Sequence, residues 1–172
     1  MYSILILITN QRREITQMNI LNYLRMTDNE TQQSAAKRMN ISYVRYNAIS
    51  KDDVNPFDRL YYGEVLHLCK QYHIPTTNTF NEKQFTQDLF NIIQGEKMYH
   101  LTGLFDYVSQ HNLQRMFIKK QSPLDVLKLK EIEELCILLD CEYEKPKLKQ
   151  SVIDTGQVEF DNTNILGVEL YA

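Results

Sequence analysis

Apolar residues recur at three- and four-residue spacing through most of the chain, which is the pattern of amphipathic helices. The pattern predicts a first helix over residues 21–26, a second over 31–39 and a third over 43–50. Asn40-Ile41-Ser42 is predicted to form a tight turn, with Ser42 as N-cap of the third helix. Glycine and proline number only 5 and 4, which also favours helices over many short strands.

One spaced pattern occurs twice, 67 positions apart: Pro, an apolar residue, Asp, one free position, Leu, three free, Glu, a branched apolar residue, two free, Leu-Cys. It runs from Pro56 to Cys69 and again from Pro123 to Cys136. The fixed offset without a gap indicates an internal duplication. Each copy predicts one helix entered through its proline, because proline suits a first turn. Cys69 and Cys136 are predicted to lie in the core.

The segment before the second copy fits the same frame less closely. Gly103 stands where the first copy has Ala36, and Ser109 where it has Ser42. A small residue at the first of these positions would let two helices cross closely, so leucine at Ala36 or Gly103 should overpack the crossing. The alternative for the second half is a helical bundle that has kept this packing and lost the function.

The first copy resembles the helix-turn-helix domain of the Cro/repressor family, the xenobiotic-response-element type of bacterial and phage regulators. The residues that carry the resemblance, between residues 21 and 74, are Arg25, Gln33, Ala35, Ala36, Ile41, Ser42, Ile49, Asn55 and Pro56. It implies a mainly α fold of two tandem lambda-repressor-like helix-turn-helix bundles, over residues 18–80 and 81–145, with a degenerate second copy.

In this family the third helix lies in the major groove, where Arg forks onto guanine, Asn onto adenine, and Val packs on a thymine methyl. The DNA-binding residues that the resemblance implies for the first copy are Gln33, Lys37, Arg38, Tyr43, Val44, Arg45, Asn47 and Lys51. Those for the second copy are Gln110, His111, Asn112, Gln114, Arg115, Lys119 and Lys120. An ordinary solvated surface is the alternative for both sets.

The overall charge of the chain is negative, so a surface that binds nucleic acid would have to be a local basic patch. The net charge is −3, with +2 on residues 1–80 and −3 on residues 81–145. Residues 37–51 nevertheless contain four basic side chains and no acidic one. The sequence therefore favours a basic patch at the predicted third helix of the first copy.

No motif for catalysis is found. The sequence has no phosphate-binding glycine loop and no nucleophile elbow, and its histidines and cysteines lack metal-ligand spacing. Glu131, Glu133 and Glu134 are predicted to form a solvated helix face. We therefore expect no enzyme activity, metal or cofactor. Three cysteines favour a reducing cytoplasm, and no apolar run approaches the roughly 20 residues of a membrane span.

The two ends are predicted to differ from the helical body. Residues 1–17 are predicted to be an N-terminal extension. Residues 1–10 are interpreted as an extra strand, and residues 1–17 alternatively as a translated leader ahead of Met18. After Pro146, a linker over 147–150 is followed by predicted strands over 152–160 and 165–171, with a hairpin turn at 154–156. Residues 146–172 are thus a linker and a β-prone tail.

The leading expectation is a cytoplasmic, sequence-specific double-stranded DNA-binding regulator that represses a promoter of a phage, plasmid or other mobile element. The alternative is a protein-binding inhibitor, such as an anti-CRISPR or anti-host factor, that binds a host protein through its acidic second half or its tail. A homodimer and a single chain with two DNA-binding units are both compatible with the sequence.

Overall fold

The computed structural model describes residues 15–77, 80–95, 103, 105–161 and 170–171. These residues form a mainly helical fold with nine α-helices, one 3-10 turn and a two-stranded antiparallel sheet. The helices are α1 (Ile20–Thr27), α2 (Gln32–Arg38), α3 (Tyr43–Ile49), α4 (Tyr62–Gln71), α5 (Glu82–Gly95), α6 (Gln110–Phe117), α7 (Pro123–Val126), α8 (Leu129–Leu138) and α9 (Gln150–Thr155). The 3-10 turn is Pro56–Asp58, and the strands are β1 (Ile15–Asn19) and β2 (Gln157–Asp161).

The three helices predicted in the first copy are confirmed as α1, α2 and α3, because their start signals are local. The Thr31 hydroxyl accepts from the Ser34 amide at 3.1 Å. The Ser42 hydroxyl accepts from the Arg45 amide at 3.2 Å, as predicted for this N-cap. Between the two helices Asn40 has a φ of 56°, a left-handed conformation that asparagine tolerates well.

Each Pro-Asp segment ends before the next helix begins, so the prediction of one continuous helix per copy is wrong. The backbone is extended at Tyr61 and again at Lys128, the N-caps of α4 and α8. In each helix the glutamate at the third position accepts from the N-cap amide: Glu64 from Tyr61 and Glu131 from Lys128, both at 2.8 Å. This glutamate cap starts a new helix at the same place in both copies.

The two copies pair through these N-caps. Tyr61 and Lys128, which are equivalent positions, form an antiparallel bridge, and the Tyr62 amide donates to the Leu127 carbonyl at 2.7 Å. Each copy's capped helix also packs on the Pro-Asp segment of the other copy: α4 packs on α7, and α8 packs on the 3-10 turn of the first copy. A Cβ on Gly63 would lie 3.0 Å from the Leu124 carbonyl oxygen, so glycine lets α4 approach α7 closely.

The residues predicted as two bundles therefore share one hydrophobic core. Buried side chains from both copies form a single cluster, including the predicted core cysteines Cys69 and Cys136. Removal from water raises the pKa of the Cys69 thiol to about 12, so the thiol is neutral and serves as packing.

The C-terminal segment differs from the prediction. Residues 150–155 form α9 rather than a strand, and Gly156 ends it with a φ of 69°, so the predicted hairpin turn is wrong. The strand that follows, β2, pairs with β1 in the register Asn19 to Gln157, which places residues 15–17 of the predicted extension in the sheet. Residues 1–14, and residues 165–169 of the predicted strand over 165–171, lie outside the described residues.

Two further expectations for the second copy are wrong. Gly103 is exposed and a Cβ there would meet nothing within 4 Å, so it does not lie at a helix crossing. The three glutamates of α8 do not form a solvated face either. Glu131 is buried, Glu133 accepts from the Tyr143 hydroxyl at 3.0 Å, and Glu134 accepts the backbone amides of residues 106–108.

Candidate nucleic-acid interface

The packing of α3 determines which of its residues face water. Tyr46 and Ile49 are buried against α1 and α2, and the Tyr46 hydroxyl donates to the Leu21 carbonyl at 3.1 Å. Burial raises the pKa of Tyr46 to about 12. Ala35 and Ala36 are buried on α2, which packs on α3. These contacts leave the opposite side of α3 exposed.

We call this exposed side, together with the exposed Lys51 two residues after the helix, the α3 outer face; its residues are Tyr43, Val44, Asn47 and Lys51. Val44 is 78% exposed and Tyr43 is 49% exposed. A groove of about 420 Å³ adjoins this face, lined by Gln33, Ala36, Lys37, Asn40, Ile41 and Tyr43. The groove brings together Gln33, Lys37 and Tyr43. Six of the eight residues predicted in the first copy are exposed: Gln33, Lys37, Tyr43, Val44, Asn47 and Lys51.

Arg45 is held within the protein. Its guanidinium pairs with both carboxylate oxygens of Glu64, one of them at 2.7 Å, and donates to the Arg59 carbonyl at 3.2 Å. Its guanidinium carbon lies 5.3 Å from the centre of the Tyr61 ring. This arginine therefore braces α3 against the start of α4.

Arg38 is held in the same way at the other end of α4. It donates to Asp28 at 2.5 Å, to Glu30 at 3.2 Å and to the Gln71 carbonyl, and it lies over the Tyr72 ring. The hydrogen bond to Asp28 is the main reason that the pKa of Arg38 is raised. Two of the four charges in the predicted basic patch are thus compensated, by acids 8 to 19 positions away in the sequence.

In the second copy α6 begins like α3, with the Ser109 hydroxyl accepting from the Asn112 amide at 3.2 Å. The Asn112 side chain donates to Glu131 at 2.6 Å, which is the same pairing as Arg45 with Glu64. Arg115 donates to Gln121 at 2.7 Å. The remaining residues predicted here lie at the surface: Gln110, His111, Lys119 and Lys120 are exposed, and Gln114 is half-buried.

The pairing of each third-helix residue with a capping glutamate was missed from the sequence. A signal was present, since both pairs are 19 residues apart and both glutamates belong to the repeated pattern. Arg45 and Asn112 occupy the same position of the repeat. In each copy the residue at this position links the third helix to the capped helix that follows it.

We expect Asn112→Ala to cost more stability than Arg45→Ala. Glu131 is 5% exposed, so the loss of the Asn112 donor leaves a buried carboxylate with fewer partners and should lower the free energy of unfolding by about 2 kcal/mol. The Glu64 side chain is 22% exposed and water can replace Arg45, so that variant should lose about 1 kcal/mol or less. Urea unfolding of both variants measures this difference. A larger loss for Arg45→Ala would contradict it.

Within the described residues there is no group of three or more His, Cys, Asp or Glu side chains able to hold a metal ion. Among the helices described, none has the length and apolarity needed to cross a membrane. Comparisons with protein-family models, curated proteins and solved structures find no match.

Proposed function

We propose that this chain is a cytoplasmic, sequence-specific double-stranded DNA-binding repressor that acts on a promoter of a mobile element and uses α2, its turn and α3 as a helix-turn-helix. In this proposal α3 enters the major groove with its outer face toward the bases. One helix with its side chains is about 10–12 Å wide and the major groove about 12 Å, so a single α3 fits.

The observation that carries the proposal is the composition of the α3 outer face. Val44 is 78% exposed on a helix whose other large apolar residues are packed or border the groove. An exposed valine beside Asn47 offers an apolar contact for a thymine methyl next to an amide with adenine-reading geometry. Lys37 on α2 and Lys51 just after α3 are also exposed and are suited to phosphates.

A charge reversal of the apolar contact tests the proposal. We expect Val44→Asp to lose most of its affinity for duplexes selected from a random pool, because the carboxylate would face bases and phosphates without a partner. The matched control is Ile137→Asp on α8, where the side chain is 76% exposed and does not belong to the α3 outer face. It should bind like the unchanged chain. Equal binding by both variants would contradict the placement of α3.

A protein-binding inhibitor is the second candidate function, favoured by one observation. Ile137 and Leu138 at the end of α8 are 76% and 43% exposed, in the acidic half of the chain. Adjacent exposed apolar side chains are typical of a protein contact. The same two variants separate the functions: loss of a host-protein complex in Ile137→Asp, with no duplex binding by any form of the chain, would favour the inhibitor.

A further inference from the structure

A second cationic surface lies at the junction of the two copies. The Tyr61 ring has the guanidinium carbon of Arg45 from α3 at 5.3 Å and that of Arg115 from α6 at 5.7 Å. Tyr61 is also the residue whose backbone bridges to Lys128 of the other copy. The side chains of α3 and α6 therefore meet at one aromatic ring, beside the pairing that joins the copies.

This meeting point limits how far apart α3 and α6 lie. The two guanidinium carbons are within about 11 Å of each other, the sum of the two distances to the ring. A fully extended arginine adds about 9 Å between its guanidinium carbon and the helix axis. Even with both side chains fully extended in opposite directions, the axes of α3 and α6 at these residues would be closer together than the roughly 34–36 Å that separates half-sites one turn of DNA apart. The helices α3 and α6 of one chain are therefore too close together to occupy two half-sites one turn apart.

The charges at the junction indicate what it binds. Arg45 is compensated by Glu64. Arg115 contacts Gln121 and the Tyr61 ring, and within the described part of the chain it has no carboxylate partner. Arg59 is exposed and likewise forms no ion pair with any described residue, while its carbonyl accepts from Arg45. Two arginines without a described carboxylate partner thus lie at the junction: Arg115 through its side chain at the Tyr61 ring, and Arg59 through its backbone at Arg45.

We propose that Arg115, at the Tyr61 ring, and Arg59, two residues before Tyr61 in the chain, bind the DNA phosphate backbone beside the groove that α3 occupies, so that one chain reads one half-site. This inference rests on the proposed function and adds that the two copies make different contacts with DNA. The second copy supplies affinity through phosphate contacts rather than a second set of base contacts. Arg59 was not among the residues predicted from the sequence.

Salt-dependent binding of a selected duplex tests this difference between the copies. Arg59→Ala and Arg115→Ala should each flatten the dependence of log affinity on log salt by about one unit and leave the selected base sequence unchanged. Arg59→Lys and Arg115→Lys keep the charge and should restore the slope. Lys147→Ala removes an exposed cation outside the junction, in the segment that bonds to Pro75, and should leave the slope unchanged. Melting curves confirm that each variant is folded.

The length of the duplex tests the one-half-site arrangement. We expect one chain to bind a duplex of about 12 base pairs with a single copy of the motif as tightly as it binds a longer duplex. Four results would overturn the inference: unchanged salt slopes in both alanine variants, an altered base preference in either, failure of lysine to restore the slope, or one chain requiring two motifs a turn apart. In all four the unchanged chain binds DNA and the proposed function stands, whereas absence of any duplex binding overturns both.

Discussion

Gly156→Ala is expected to lower the free energy of unfolding by about 3 kcal/mol. Gly156 has a φ of 69°, and an alanine in this left-handed region costs about 1–2 kcal/mol. The new Cβ would also lie 2.4 Å from Pro56 Cδ and 2.9 Å from Asn55 Cα, a proline ring and a backbone that cannot rotate away. Overpacking of this kind costs about 1–3 kcal/mol more. Chemical denaturation followed by circular dichroism measures the loss.

Gly103→Ala is the matched control, because a Cβ there meets nothing within 4 Å and the residue has no positive φ. We expect its stability to stay within about 0.5 kcal/mol of the unchanged chain. If Gly156→Ala were as stable as Gly103→Ala, the end of α9 would not pack against the start of the 3-10 turn as described.

Asn19→Ala is expected to cause a loss of similar size, again about 3 kcal/mol. Its fully buried side chain caps α1 by accepting from the Leu21 amide at 2.9 Å. Its amide group also donates to three carbonyls, that of Ile49 at the end of α3 and those of Lys51 and Val54 in the segment after it, at 2.8–3.1 Å. Alanine removes the cap and leaves buried carbonyls without a donor.

The control for Asn19 is Gln17→Ala on the same strand. The Gln17 side chain donates to Glu159 at 3.0 Å in an exposed pair, so its loss should cost less than about 0.5 kcal/mol. Thermal or urea unfolding of the two variants gives the comparison. A loss below about 1 kcal/mol in Asn19→Ala would mean that this side chain does not anchor the segment after α3.

The features that sequence reasoning predicted correctly are local ones. The helices α1, α2 and α3 follow from apolar spacing and from caps such as Ser42, whose hydrogen bond reaches only three residues ahead. The core placement of Cys69 and Cys136 follows from the same spacing. Periodicity and capping act within a few residues of chain, so a single sequence carries them.

The features that were missed depend on contacts between distant parts of the chain. The helix break at Tyr61 coincides with its bridge to Lys128 in the other copy. The helix α9 ends at Gly156 against Asn55 and the start of the 3-10 turn, about a hundred residues earlier in the chain. Arg38 and Arg45 looked like free charges because their acidic partners come from other elements. Such pairings become visible only once the helices are packed.

The central claim, that α3 reads base edges in duplex DNA, is tested most directly by titrating a labelled duplex from the random-pool selection with the purified chain between about 50 and 200 mM salt. A duplex of the same composition in scrambled order serves as the comparison. The account predicts that log affinity falls linearly with log salt and that the selected duplex binds roughly a thousandfold or more tighter than the scrambled one at every salt concentration. Equal affinity for the two duplexes, or no binding to either, would contradict it.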